Sequence, residues 1–146
     1  MAITSAICNS FKQEILEAEH NFTASTGNTF NLALYTSSAT LGASTTAYTS
    51  TEEITNTSGT AYTAKGAALT SVTPTLDSST AVCDFSDVSW TSASFTANGC
   101  LIFNDSHATD ASVCAIAFGG DKTVSSGTFT IQFPAAAATT AIIRIA

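Results

Sequence analysis

The side chains of this 146-residue chain with the greatest capacity for chemistry are two histidines, four cysteines and eleven acidic residues. Any Ser-His or Cys-His nucleophilic mechanism must run through His20 or His107. His107 lies in the polar run Asn104-Asp105-Ser106-His107-Ala108-Thr109-Asp110, which reads as a turn, and no motif pairs it with Cys100 or Cys114. His20 falls at the end of the first amphipathic segment and reads as an exposed cap residue. Asp84 and Asp87 come nearest to the carboxylate pair of glycoside hydrolysis. Asp84 alternates with apolar Cys83 and Phe85, and Asp87 precedes Val88 in a turn, so both are expected to be solvated surface acids. Asn104, Asp105 and Asp110 offer oxygen ligands for calcium, but without the EF-hand spacing. Cys8, Cys83, Cys100 and Cys114 contain no C-x-x-C, so no zinc set is expected. The chain also lacks a G-x-S-x-G elbow, a P-loop, a G-x-G-x-x-G turn and an H-E-x-x-H pair. The expectation is a non-enzymatic protein with no catalytic residue, cofactor or metal.

The composition fits that expectation. Only 10% of residues are charged, whereas threonine, serine and alanine number 26, 19 and 25. Small side chains lose little entropy when ordered at an interface, and low charge reduces repulsion between copies. The 45% hydrophobic content is too high for a disordered tail. A net charge of −7, with only Lys12, Lys65, Lys122 and Arg144 to meet phosphates, argues against nucleic acid. No apolar run is long enough to span a membrane as a helix, and no membrane partner is expected. Met1 to Cys8 shows neither a basic n-region nor an apolar h-region, so the expectation is cytosolic synthesis without a signal peptide. The Asn-x-Ser/Thr sequons at Asn21, Asn56 and Asn104 are what chance gives in so Ser/Thr-rich a chain.

These residues are expected to sit on an all-β framework: an antiparallel, jelly-roll-like β-sandwich preceded by one N-terminal amphipathic α-helix, forming a single domain over 1–146. Ile7, Phe11 and Ile15 recur at four-residue spacing, with Cys8 and Leu16 beside them, and predict a helix over about 4–19 within a 1–20 segment. Thr4 or Ser5 is its expected N-cap. Glu14, Glu17 and Glu19 fall towards its C-terminal half, the wrong end for the helix dipole, which hints that a partner or local partners compensate. From 28 to 146, short β-branched and aromatic runs alternate with turn residues. Strands are read at Phe30 to Tyr35, Ala81 to Phe85, Val88 to Trp90, Phe95 to Asn104 with a bulge at Gly99, Val113 to Phe118, Phe129 to Phe133 and Ile142 to Ile145. Alternation puts Cys83 with Phe85, Cys100 with Ile102, and Cys114 with Ile116 and Phe118, so buried thiols are expected, with a disulfide as the alternative. Residues 36–64 read as a Ser/Thr-rich loop or arm carrying Tyr48 and Tyr62. Trp90 with these tyrosines is also the one conceivable sugar-stacking platform; core packing is the favoured reading.

Several stretches carry a resemblance. Asn9-Ser10-Phe11-Lys12-Gln13-Glu14-Ile15-Leu16, Ala33-Leu34-Tyr35-Thr36-Ser37-Ser38-Ala39-Thr40-Leu41, Ala67-Ala68-Leu69-Thr70-Ser71-Val72-Thr73-Pro74, Thr128-Phe129-Thr130-Ile131-Gln132-Phe133-Pro134-Ala135 and Ala141-Ile142-Ile143-Arg144-Ile145-Ala146 resemble a group of small tailed-bacteriophage virion structural proteins. More loosely, the chain resembles the decoration or cement proteins of icosahedral heads. The resemblance implies a protein on the capsid exterior, assembled in the host bacterial cytoplasm, with the major capsid protein and copies of itself (dimer or trimer) as partners. It implies no catalytic residues. Ile7, Phe11 and Ile15 on the helix and Tyr48 and Tyr62 on the arm are the candidate contacts. The alternatives are a tail, baseplate or head-fibre component, and a carbohydrate-binding β-sandwich.

Overall fold

Period-two alternation of apolar side chains dominates this chain, and it folds as two antiparallel sheets. The computed structural model describes residues 2–55 and 61–146. Its elements are β1 (Ala6–Ile7), α1 (Asn9–Leu16), β2 (Phe30–Tyr35), β3 (Ala67–Ala68), β4 (Ser71–Asp77), β5 (Thr80–Phe85), β6 (Val88–Asn104), β7 (Ala111–Ile131) and β8 (Ile143–Ile145). The larger sheet has the order β1-β7-β6-β2-β3 and the smaller β4-β5-β8. The fold is therefore all-β and sandwich-like, with a jelly roll's strand number divided five and three.

One face of the larger sheet presents Phe30, Leu32 and Leu34 from β2, Cys100 and Ile102 from β6, and Cys114 from β7. These meet Cys83 and Phe85 of β5 and Ile143 of β8 in a single core. Phe22 stacks on Phe30 with ring centres 4.2 Å apart, and Phe85 lies 5.9 Å from Phe30, which joins the two sheets. The alternate residues of the same strands, Ala33, Tyr35, Leu101, Phe103 and Ala115, build a second core on the opposite face. Its cover is the segment after β2 together with Ile3 near the N-terminus, which bridges to Leu41. Ile3, Ala39 and Leu41 pack there, and Tyr48 lies 4.8 Å from Phe103. The expected arm over 36–64 is thus folded onto the sheet wherever it is described. It is held by bonds such as Ser112 N–H to Thr46 O and Ile54 N–H to Leu34 O. Burial of an alternating strand on both faces explains the nearly continuous apolar run from Val113 to Ala117.

The helix is shorter than its sequence pattern. It begins at Asn9 because Ala6 and Ile7 are taken by the ladder, paired with Ala115 and Cys114 of β7. Thr4 bonds Leu41 O, so neither Thr4 nor Ser5 caps it; extended Cys8 is the N-cap residue, without a side-chain cap bond. Ala18 turns into the left-handed region at φ 61° just beyond the helix. The bulge expected at Gly99 is a register shift between Ala97 and Gly99. Opposite it, β7 loops out through Gly119 and Gly120, both at positive φ. Gly66, at φ 69°, backs onto the main chain of Leu32 so closely that a Cβ has no room.

Candidate docking surface

The chemistry-bearing residues are largely committed to holding the fold. All four cysteines are free and buried. Burial pushes the Cys83 and Cys100 thiols up to about 12, and raises Cys114 and Cys8 as well. At neutral pH they are thiols, poor nucleophiles in apolar surroundings. Asp84 accepts a bond from Phe85 N–H and Asp87 one from Phe133 N–H, so each carboxylate terminates a backbone donor. Asp105 and Asp110 do converge, at 2.9 and 2.8 Å, but on the Lys65 ammonium rather than on a vacant cation site. Those two bonds raise the lysine's pKa. Asn104 is fully buried, which removes its sequon from the surface, and the Asn56 sequon lies outside the described residues.

His20 is not the exposed cap its position predicts. Its side chain is 0% exposed, with Nε2 2.8 Å from Glu14 Oε2 and Nδ1 3.1 Å from Asn104 Nδ2. Asn104 is oriented by two further bonds: its amide group donates to Glu19 O, and its oxygen accepts from Ser106 N–H. Its NH2 therefore faces His20, Nδ1 must accept, and the proton sits on Nε2 towards Glu14. The ring is caged by Phe11 at 4.9 Å, Phe30 at 6.2 Å and Phe22 at 6.4 Å. Glu14, on the unfavourable end of α1, thus has a local partner.

The five expected contact residues separate. Ile7 is half-buried on β1 rather than on the helix, and packs on the main core. Phe11 is 4% exposed beneath α1, too deep for docking, because its ring closes the His20 cage. Tyr62 is fully buried beside Trp90 and Phe95, which also puts Trp90 in the core and removes the sugar platform. Tyr48 lies on the opposite face of the sheet, half-buried. Its hydroxyl and that of Tyr62 both donate to Glu53, at 2.5 and 2.6 Å, and Lys65 N–H adds a third bond at 2.7 Å. Burial, reinforced by the Glu53 bond, pushes Tyr48 up to about 12 and raises Tyr62 too. These tyrosines tie residues 48–55 and 61–65 to the sheet. Glu53, which sequence reading passed over, is the acceptor that joins them.

Ile15, unlike the more deeply buried Phe11, offers part of its surface to a groove that both of them line. This apolar groove of about 420 Å³ has Phe11, Ile15, Ala18 and Phe22 on one wall and Pro74, Ala81, Cys83, Ile143 and Ile145 on the other. The pairings Leu76 with Ala81 and Ala81 with Ile145 set these three in one cross-strand row. Alternation puts that row on the face of the small sheet that carries Cys83 and Ile143 into the core. The row lies past the reach of α1, so Leu76 is 73% exposed and Ile145 58% exposed. Leu16, at the end of α1, is 88% exposed. The core between α1 and the small sheet is open at this end. A lone Leu76 in a Ser/Thr-rich stretch gave no periodic signal, and only the alternation of Ile143 and Ile145 pointed to this face. No family model, curated protein or solved structure matches the chain.

Proposed function

We propose that this chain is a non-enzymatic virion structural protein that decorates and stabilises the outer surface of an icosahedral phage capsid by bridging subunits of the major capsid protein. The observation that carries the reading is the open apolar row Leu76–Ala81–Ile145 with the groove beside it, on a chain whose histidine, thiol and buried carboxylate groups are engaged in the fold. An exposed leucine or isoleucine that becomes fully buried at a contact contributes about 1.5–3 kcal/mol. That is modest for one copy. A lattice of copies that binds only the expanded shell stabilises that state by linkage, and many weak contacts add through multivalency. The phage resemblance supplies the partner. The two-faced sheet supplies a rigid body between contacts, and β7 continues past β1 with an outer edge that can pair with a neighbour.

The test is the copy number per purified virion, measured by quantitative mass spectrometry against the major capsid protein. A number comparable with the capsid protein is the expected result. A number far below it moves the chain to a tail, baseplate or head fibre, and absence from the particle overturns the virion reading.

A further inference from the structure

The edge of β7 turned away from β6 is covered only in its first third. Ala47 bridges to Ala111, β1 pairs with Cys114 and Ala115, and Ser5 Oγ accepts from Ala117 N–H. Past that point, among the described residues, β6 is the one strand paired with β7. The last stretch is nevertheless held firmly from behind. Phe129 to Ile131 keep a regular register with Trp90 to Val88, Ser89 Oγ meets Thr130 Oγ1 at 2.8 Å, and Phe133 N–H donates to Asp87. Alternate residues of a strand turn their main-chain groups to opposite edges, so the stretch from Thr128 to Phe133 offers outward donors and acceptors to another strand. Phe129, Ile131 and Phe133 are half-buried on the core side, whereas Thr128, Thr130 and Gln132 are exposed. Two hollows of about 410 and 390 Å³ lie beside this edge and share Phe118, Thr130 and Ile131. All eleven acidic residues precede Lys122, and no side chain from Thr123 to Ile143 is charged. The flanking carboxylates are turned towards β6: Asp87 accepts from Phe133 N–H and Asp121 from Asn98 Nδ2.

We propose that this edge, Thr128 to Phe133, pairs antiparallel with the same edge of a second copy about a two-fold axis. Residues opposed across an antiparallel pair share a face, and a two-fold axis normal to the sheet keeps like faces together. Odd-numbered residues therefore always oppose odd ones, and even oppose even. Phe129, Ile131 and Phe133 meet the same set from the other copy beside the hollows, and Thr128, Thr130 and Gln132 meet on the solvent side, where hydroxyl and amide groups bond across strands. A strand from another protein has to bring that alternation with it; a second copy has it by construction. No carboxylate of the stretch opposes another, and antiparallel pairing carries the two Lys122 side chains to opposite ends of the shared ladder. The ladder is short beside a standard interface of about 1,600 Å², so the dimer is expected to be weak and concentration-dependent. This inference names the neighbour for the open edge of β7 and stands apart from the row at Leu76 and Ile145.

The test is sedimentation equilibrium of the full chain at up to about 1 mM. The unaltered chain is expected to pass from monomer to dimer with concentration. Thr130 is exposed and falls beside the axis wherever Phe129, Thr130 or Ile131 lies on it, so Thr130→Lys and Thr130→Glu retain the fold while each sets two like charges together. Each variant alone is expected to dimerise at least tenfold more weakly than the unaltered chain, and an equal mixture of the two to recover a dimer. Ile145→Ser is expected to leave the dimer unchanged. A chain that stays monomeric overturns the inference, as do species that grow beyond the dimer, since a contact that does not close is not two-fold. So do single variants that dimerise like the unaltered chain, a mixture that fails to recover, or a dimer that Ile145→Ser abolishes, because the contact then lies elsewhere. None of these results bears on decoration, since a monomer can bridge capsid subunits. Absence of the unaltered chain from virions overturns decoration and leaves the dimer standing.

Discussion

Alkaline pH is expected to strip stability from this protein through its core thiols. Cys83, Cys100 and Cys114 are 6%, 0% and 2% exposed and share one cluster between the two sheets. In the unfolded chain each ionises at its ordinary value of 9.0, while in the folded chain burial holds the proton to about 12 for Cys83 and Cys100 and well above 9.0 for Cys114. A pKa raised on folding gives a contribution that is complete below the unfolded value. It is lost as pH climbs towards the folded one. At pH 10 the unfolded thiolate is favoured by about 1.4 kcal/mol per group, or about 4 kcal/mol for the three together. Against a total stability of about 5–15 kcal/mol for a domain, that is a large share. Tyr35 and Tyr62, raised by burial from 10.0, act with the same sign but start later.

The assay is urea unfolding in reductant near pH 7.5, 9 and 10, followed by Trp90 fluorescence. The expected result is a fall of about 4 kcal/mol between the first and last conditions. Cys100→Ala combined with Cys114→Ala removes two of the three groups and should cut that fall by about 2.8 kcal/mol, whatever it does to stability at neutral pH. A fall under about 1 kcal/mol, or an unchanged slope in the double variant, refutes the reasoning that these thiols are desolvated.

Three further outcomes follow from named contacts. Glu53→Ala takes the acceptor from Tyr48, Tyr62 and Lys65 and should cost about 3 kcal/mol or more in calorimetry, while Glu53→Gln, which keeps one acceptor oxygen, should cost less than half of that. Trp90, 5% exposed, should emit at short wavelength and stay insensitive to acrylamide and to added sugars; a response to glycans would restore the carbohydrate-binding alternative. Long-range nitrogen NMR of His20 should show the proton on Nε2, and Asn104→Leu should release that preference; a proton on Nδ1 contradicts the orientation derived for Asn104.

Where alternation was strong, the fold could be read from the residues. Phe30–Tyr35 is a strand with the ends the pattern predicts, and the shared faces of Cys83 with Phe85 and Cys100 with Ile102 are as expected. The long hairpin was read in pieces. Polar Thr91 and Ser92 interrupt β6, and Gly119 and Gly120 interrupt β7, yet the ladder continues across these breaks through register shifts. β4 was missed because its Ser, Thr and Pro residues are mostly exposed, so neither face carries an apolar stripe. The helix was overextended because Ile7 satisfies both a period of four and a strand. Periodicity cannot choose between them, and pairing with Cys114 of β7 does.

The docking surface was harder to read for a different reason. Sequence patterns report what a fold buries, and Tyr62 and Phe11 looked like contact residues because their cover comes from outside their own segments. Tyr62 is covered by Trp90 and Phe95, and Phe11 by His20 and Phe22. An exposed apolar row comes from the opposite circumstance: strands that pair correctly but extend past the element that covers them. Leu76, Ala81 and Ile145 come from three strands, each contributing one residue, so no single segment shows the row. What the sequence did show was an electrostatic mismatch on α1. Glu14, Glu17 and Glu19 stood at the unfavourable end of a helix, and the fold gives Glu14 a hydrogen-bond donor in the buried His20 and Glu17 one in the Gln13 amide. The compensation that the acidic end of the helix called for is therefore found within the chain, and for Glu14 it comes from a histidine that sequence reading had placed at the surface.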